Sequence, residues 1–132
     1  MNELTRLREI ALADGRYALE AYLFVLEALQ FTREKFQAAG HVTGQQLLEG
    51  IKDLALEQYG AMAKLVFEHW GIEKTRDFGN IVINMVNERI LSKTAEDKIE
   101  DFDNIYNFEE VFVKDYELTF GNEKGENISP ST

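Results

Sequence analysis

Apolar residues recur at intervals of three and four along nearly the whole chain. Leu4, Leu7, Ile10 and Ala11 share one face, which predicts a short amphipathic helix over residues 3–13, closed by Asp14-Gly15. Residues 16–38 carry two such series side by side. Ala18, Tyr22, Val25, Leu29, Thr32 and Phe36 form one; Tyr17, Ala21, Phe24, Ala28 and Phe31 form the other. Glu20, Glu27 and Glu34 remain as a polar line. A step of seven residues is two helical turns less about 20°, so these carboxylates share one narrow face. A helix apolar on nearly every side is buried on nearly every side. This segment is therefore expected to be the central post of the fold.

Gly40-His41-Val42 breaks the pattern, and Thr43 then precedes Gln46 by three, the spacing of a capping box that opens the next helix. Leu47, Leu48, Ile51, Leu54, Ala55, Gln58, Met62, Leu65 and Val66 carry the stripe through residues 44–69. Gly60 either divides this stretch into two helices or bends one rod, and Trp70-Gly71 stops it. Thr75 is the expected cap of a helix over 76–91, with Phe78, Ile81, Val82, Met85, Val86 and Ile90 on its core face and Asn80, Asn84, Asn87 and Glu88 on the other. The β-branched run Ile81-Val82-Ile83 competes locally for strand, but the three-and-four recurrence of the polar positions favours helix. Phe102, Ile105 and Phe108 anchor a loop or short helix, and 108–114 is open to helix. Tyr116, Leu118 and Phe120 alternate as in a short strand. Residues 121–132 have Ile128 as their one large apolar side chain and read as a disordered acidic and polar tail. The expected architecture is all-α: about five helices around a buried central helix, in a single domain over 1–120, with a short C-terminal strand as an option.

Composition narrows the class. At 132 residues with 45% hydrophobic positions, the chain is long enough for one domain with a true core. It has no cysteine, which removes disulfides, thiolate nucleophiles and cysteine-based metal sites. No apolar run reaches membrane-spanning length, and the N-terminal residues lack a signal-peptide pattern, so a soluble cytoplasmic protein without membrane contact is expected. The net charge of -10 is lopsided: -2 over residues 1–66 and -8 over 67–132. The acidic run 94–117 repels phosphate backbones and anionic lipids and would attract a basic protein partner.

Motifs for chemistry are sparse. Asp77-Phe78-Gly79 spells a kinase magnesium triplet without the rest of the kinase signature. Asp101 and Asp103 start like a calcium loop, but Tyr106 stands at its sixth position and Phe112 at its twelfth. Glu20, Glu27 and Glu34 lack the Glu-x-x-His pairs of a di-metal bundle: Ala38 and Val66 precede the two histidines by three. No metal or cofactor is expected. His41, just before a helix start, could act as a general base or contact an anion; His69 sits beside Trp70 at a helix end.

The order of helix, turn, helix and polar stretch around Trp70-Gly71-Ile72 is similar to that of a winged helix, with Lys74, Arg76 and Arg89 as phosphate contacts. The reading helix carries few cations and the would-be wing is the most acidic region, so nucleic-acid binding is disfavoured.

The strings Arg16-Tyr17, Ala21-Tyr22, Phe24-Val25, Glu27-Ala28-Leu29, His41-Val42-Thr43-Gly44-Gln45, Leu47-Leu48-Glu49-Gly50-Ile51, Trp70-Gly71 and Asp77-Phe78-Gly79-Asn80-Ile81-Val82 resemble the Minf-type family of short bacterial proteins. The likeness covers roughly residues 16–112, and His-Val-Thr-Gly is its most distinctive string. It implies a bacterial cytoplasmic domain and supplies no mechanism, cofactor or functional residue. It does draw His41, Thr43, Gly44, Asp77 and Gly79 together as a candidate loop cluster.

The leading functional expectation is a non-enzymatic protein-interaction module, self-association included. Its motive is the number of aromatic residues, Phe31, Phe36, Phe67, Trp70, Phe102, Tyr106, Phe108, Phe112 and Tyr116, some of which would be free to line a partner groove. A winged-helix regulator and a small-molecule enzyme using His41 are the alternatives.

Overall fold

A computed structural model describes residues 2–92 and 98–114. The described residues fold into five α-helices and three short helical turns, with no strand among them. The option of a C-terminal strand at 116–120 and the tail at 121–132 lie outside the described residues.

Helix α1 spans Glu3–Asp14. The Asn2 side chain accepts from the Thr5 N–H at 2.8 Å, and Gly15 ends the helix. Helix α2 spans Leu19–Lys35 and buries Ala21, Tyr22, Phe24, Val25, Ala28 and Thr32 against α3, α1 and α5. It is the central element, yet it keeps one face in solvent: Glu20, Glu27 and Glu34 are exposed there, and Leu23 is 41% exposed.

Helix α3 spans Gly44–Tyr59 and opens on the capping box that the spacing predicts. The Gln46 N–H donates to Thr43 Oγ1 at 3.0 Å, and the Thr43 N–H donates to Gln46 Oε1 at 2.9 Å. Gly60 does divide the segment. Its backbone, at φ 51° and ψ -125°, turns the chain through a 3-10 turn at Gly60–Met62 into α4, Ala63–His69. Trp70-Gly71 stops α4 for two reasons. Gly71 has φ 89°, and a Cβ there would lie 2.2 Å from the Arg16 carbonyl oxygen. The same approach lets the Ala18 N–H donate to the Trp70 carbonyl, tying the start of α2 to the end of α4.

Helix α5 spans Thr75–Asn87, shorter than the expected 76–91. Thr75 is not its cap. It lies inside the first turn, buried, where its hydroxyl donates to the Phe102 carbonyl at 2.6 Å and accepts from the Ile105 N–H at 3.3 Å. Asp77 does the capping instead, accepting from the Glu73 and Lys74 N–H groups at 2.8 and 3.1 Å. Past Asn87 the backbone reverses through Arg89, at φ 64°. A 3-10 turn at Ile99–Phe102 and a wide helical turn at Glu110–Lys114 then lay Phe102, Phe108 and Phe112 onto the core.

Most of the aromatic excess belongs to this core. Phe67 is the hub: its ring centroid lies 5.1–6.0 Å from those of Phe24, Trp70, Phe78, Phe108 and Phe112. Phe31, Trp70 and Tyr106 are half-buried and Phe36 is exposed. Tyr116 lies outside the described residues. The aromatic count therefore supplies packing more than a free groove.

Candidate functional site

The five residues of the candidate cluster do not line one cavity. His41, Thr43 and Gly44 line a cavity of about 340 Å³ between the end of α2, the loop before α3, the start of α3 and the end of α5. Gly79 reaches the neighbourhood through packing alone. A Cβ at Gly44 would stand 2.9 Å from the Phe102 ring, and one at Gly79 would stand 2.8 Å from the same side chain and from Ile99. Two glycines on different helices thus clamp one phenylalanine, which closes the floor of the cavity. Thr43 Oγ1 is occupied by its cap bond. His41 is exposed.

The cavity walls are Leu29, Leu47, Val82, Ile90, Leu91 and Phe102, and Arg33 stands at its mouth. Arg33 Nε donates to the Gly40 carbonyl at 3.2 Å, which holds the guanidinium beside the loop. Sequence reasoning passed over Arg33, because on α2 it sits next to the exposed acid line and reads as one more solvated charge.

Asp77 belongs to a different network. Its Oδ1 accepts from the Tyr17 hydroxyl at 2.7 Å, and Asn80 Nδ2 donates to the same hydroxyl at 2.9 Å. One turn further, Asn84 Nδ2 donates to Tyr22 Oη and to Asp14 Oδ2, both at 2.9 Å. The expectation that Asn80 and Asn84 face away from the core is thus corrected. They meet two buried tyrosines, Tyr17 just before α2 and Tyr22 on it, whose hydroxyls require partners. Burial, then the neighbouring Asp77 carboxylate, pushes Tyr17 up to about 12, so it stays a neutral donor.

Asp14 also accepts from Arg16, whose Nε and Nη2 approach at 2.8 Å each. These bonds hold the Asp14 carboxyl well below the usual range against the opposing effect of burial, and Asn84 adds to them. A depressed folded-state value means that the contribution to stability is complete above the unfolded value of about 4 and fades as pH falls towards the folded one. In urea titrations, the advantage of the native chain over Asp14→Asn should be constant above about pH 5 and shrink between about pH 4 and 2. A gap that stays constant through this window would show that the carboxylate charge is not what the network uses.

The remaining carboxylates that read as calcium ligands are spent locally. Asp101 accepts from the Lys98 N–H at 2.8 Å, and Asp103 pairs with Arg76 at 2.7 Å. The Arg76 pair also removes one cation from the would-be nucleic-acid surface, and the described residues contain no β-hairpin to serve as a wing.

A second concave surface lies where α1, α2 and α4 meet. It encloses about 620 Å³ and is lined by Leu12, Leu19 and Trp70, with Arg8, Arg16, Glu68 and His69 at its edges. Leu12 is 76% exposed, Leu65 56% and Met62 55%.

Comparison with protein-family models, with curated proteins and with solved structures finds no match to this chain. No helix of the described residues is long and apolar enough to cross a membrane.

Proposed function

We propose that this chain is a non-enzymatic protein-interaction module that self-associates through the groove between α1, α2 and α4. The observation that carries this reading is Leu12, a large aliphatic side chain left 76% exposed at the edge of a concave apolar surface. By helical spacing the surface continues on both sides. Leu19 and Leu23 stand one turn apart on α2, and Leu65 stands one turn before His69 on α4. Scattered exposed leucines are ordinary, but a contiguous apolar face rimmed by polar groups marks a docking surface.

Charge permits a second copy at this face. Most of the molecule is acidic and would repel its own kind. At this groove Arg8, Arg16 and His69 accompany Glu68, so two copies meet here without the repulsion that the 94–117 region would impose. The acidic region itself is the complement of a basic protein, and that partner would dock elsewhere on the chain. The Minf-type likeness, carried by strings such as His41-Val42-Thr43-Gly44, is part of the same proposal and places no constraint on the partner.

Size-exclusion chromatography with light scattering over a concentration series tests the reading. The mass should rise from monomer towards dimer with concentration, and Leu12→Glu should hold the chain monomeric at the same thermal midpoint. A strict monomer at roughly 1 mM, where a dissociation constant corresponds to about -4 kcal/mol, would refute self-association.

A further inference from the structure

We propose that the cavity between α2, α3 and α5 binds a small monocarboxylate with a compact apolar body, its carboxylate held by the Arg33 guanidinium and the His41 ring. This site is separate from the self-association groove and does not depend on it. The argument begins with charge. The chain carries a net charge of -10. Among the described residues that line this cavity, the ionisable side chains are Arg33 and His41, with no carboxylate. Two other concave surfaces among the described residues are mixed: the cleft between α1 and α5 sets Glu9, Asp14 and Glu88 beside Arg6, and the groove at α4 includes Glu68. On an acidic surface, a mouth lined by cationic and hydrogen-bonding groups over an apolar floor selects for an anion with a hydrophobic body.

Geometry adds to this. The bond from Arg33 Nε to the Gly40 carbonyl tethers the guanidinium at the mouth. It uses one N–H and leaves the two Nη groups without a partner among the described residues. Those N–H groups are suited to grip a carboxylate. His41, exposed and lining the same cavity, offers a ring N–H as a second donor. The walls give the rest of the ligand class. Leu29, Leu47, Val82 and Phe102 present only carbon, and about 340 Å³ is near the lower end for small-molecule sites. A single phenyl ring or a short aliphatic chain suits that space. The Gly44 and Gly79 clamp on Phe102 keeps this floor in place.

The test uses three isosteric probes on the full 132-residue chain: 4-phenylbutyrate, 4-phenylbutanol and 4-phenylbutylamine. Calorimetry reads affinity and methyl NMR reads location. The butyrate should bind roughly tenfold or more tighter than the alcohol, with the amine weakest. The methyl signals of Leu29, Leu47 and Val82 should move. Arg33→Gln should erase the advantage of the acid over the alcohol, and Arg33→Lys should keep part of it. Val82→Trp, which fills the cavity from a half-buried position, should abolish binding of the acid without touching the charged groups. Equal affinity for the three probes would overturn the proposal, as would absent butyrate binding at millimolar concentration. An unchanged acid-to-alcohol ratio in Arg33→Gln would do the same.

Discussion

Phe67→Ala should lower the stability of this domain by about 3–5 kcal/mol, the range for truncating a buried aromatic side chain. Phe67 is fully buried. At its ring the aromatic side chains of α2, α4, α5 and the turn after α5 meet. Phe24, Phe78, Phe108 and Phe112 all lie within 5.7 Å of it, centroid to centroid. Three of those contacts are steeply inclined, the edge-to-face arrangement that adds favourable electrostatics to the area buried. Alanine would leave a void bounded by rings from α2, α5 and the turn after α5, and rings on separate elements cannot collapse into it together. A domain of this size has about 5–15 kcal/mol in total, so the loss is a large share of it. In urea the midpoint should fall by roughly 2–3 M, with a slope of about 1.5 kcal/mol/M. Phe36→Ala is the control. That ring is 38% exposed and meets the Lys35 ammonium at 5.8 Å, so its removal should cost under about 1 kcal/mol. Similar costs for the two variants would mean that the cluster is not the centre of the fold.

The helices were legible because their signals are local. The Thr43 and Gln46 cap pair, the Gly15 stop and the division at Gly60 each depend on residues within one turn of one another. Thr75 misled because a threonine before an apolar run looks the same whether its hydroxyl caps the helix or reaches Phe102, which lies 27 residues on. Asn80 and Asn84 misled for a related reason. Polar residues at helical spacing read as a solvent face, and only the partner helix shows that Tyr17 and Tyr22 need hydrogen bonds there. The candidate cluster was half legible. Loop position brought His41, Thr43 and Gly44 together, whereas Asp77 and Gly79 were drawn in by their adjacency in one string. In the fold those two point to different tasks, one to the α5 cap and Tyr17, the other to Phe102. Arg33, the residue that gives the cavity its chemistry, carries no sequence signal beyond its charge.

The same dependence on distant partners governs the contact between α2 and α3, the most extensive between helices among the described residues. Gly50 lies on the buried face of α3, and a Cβ there would stand 1.8 Å from Thr32 Oγ1 and 2.9 Å from Thr32 Cβ. Thr32 cannot simply swing aside. It is fully buried, and its hydroxyl donates to the Ala28 carbonyl at 2.6 Å within α2. Gly50→Ala therefore forces the two helices apart or breaks that bond, at the upper end of the roughly 1–3 kcal/mol range for overpacking. The better helix propensity of alanine returns about 1 kcal/mol. The expected net loss is about 2 kcal/mol. Gly40→Ala, where an added Cβ meets nothing within 4 Å, should leave stability nearly unchanged. Thr32→Ala removes the oxygen at 1.8 Å and takes its own hydrogen bond with it, leaving the Ala28 carbonyl in its helical bond; alone it should cost under about 1 kcal/mol. Combined with Gly50→Ala it should recover much of the loss, so the double-mutant cycle should return a coupling of about 1–2 kcal/mol. The contact at 2.9 Å remains in the pair, so recovery should stop short of complete. A coupling near zero in urea unfolding would mean that α2 and α3 are free to separate at this point, and the close approach would then not be what fixes their register.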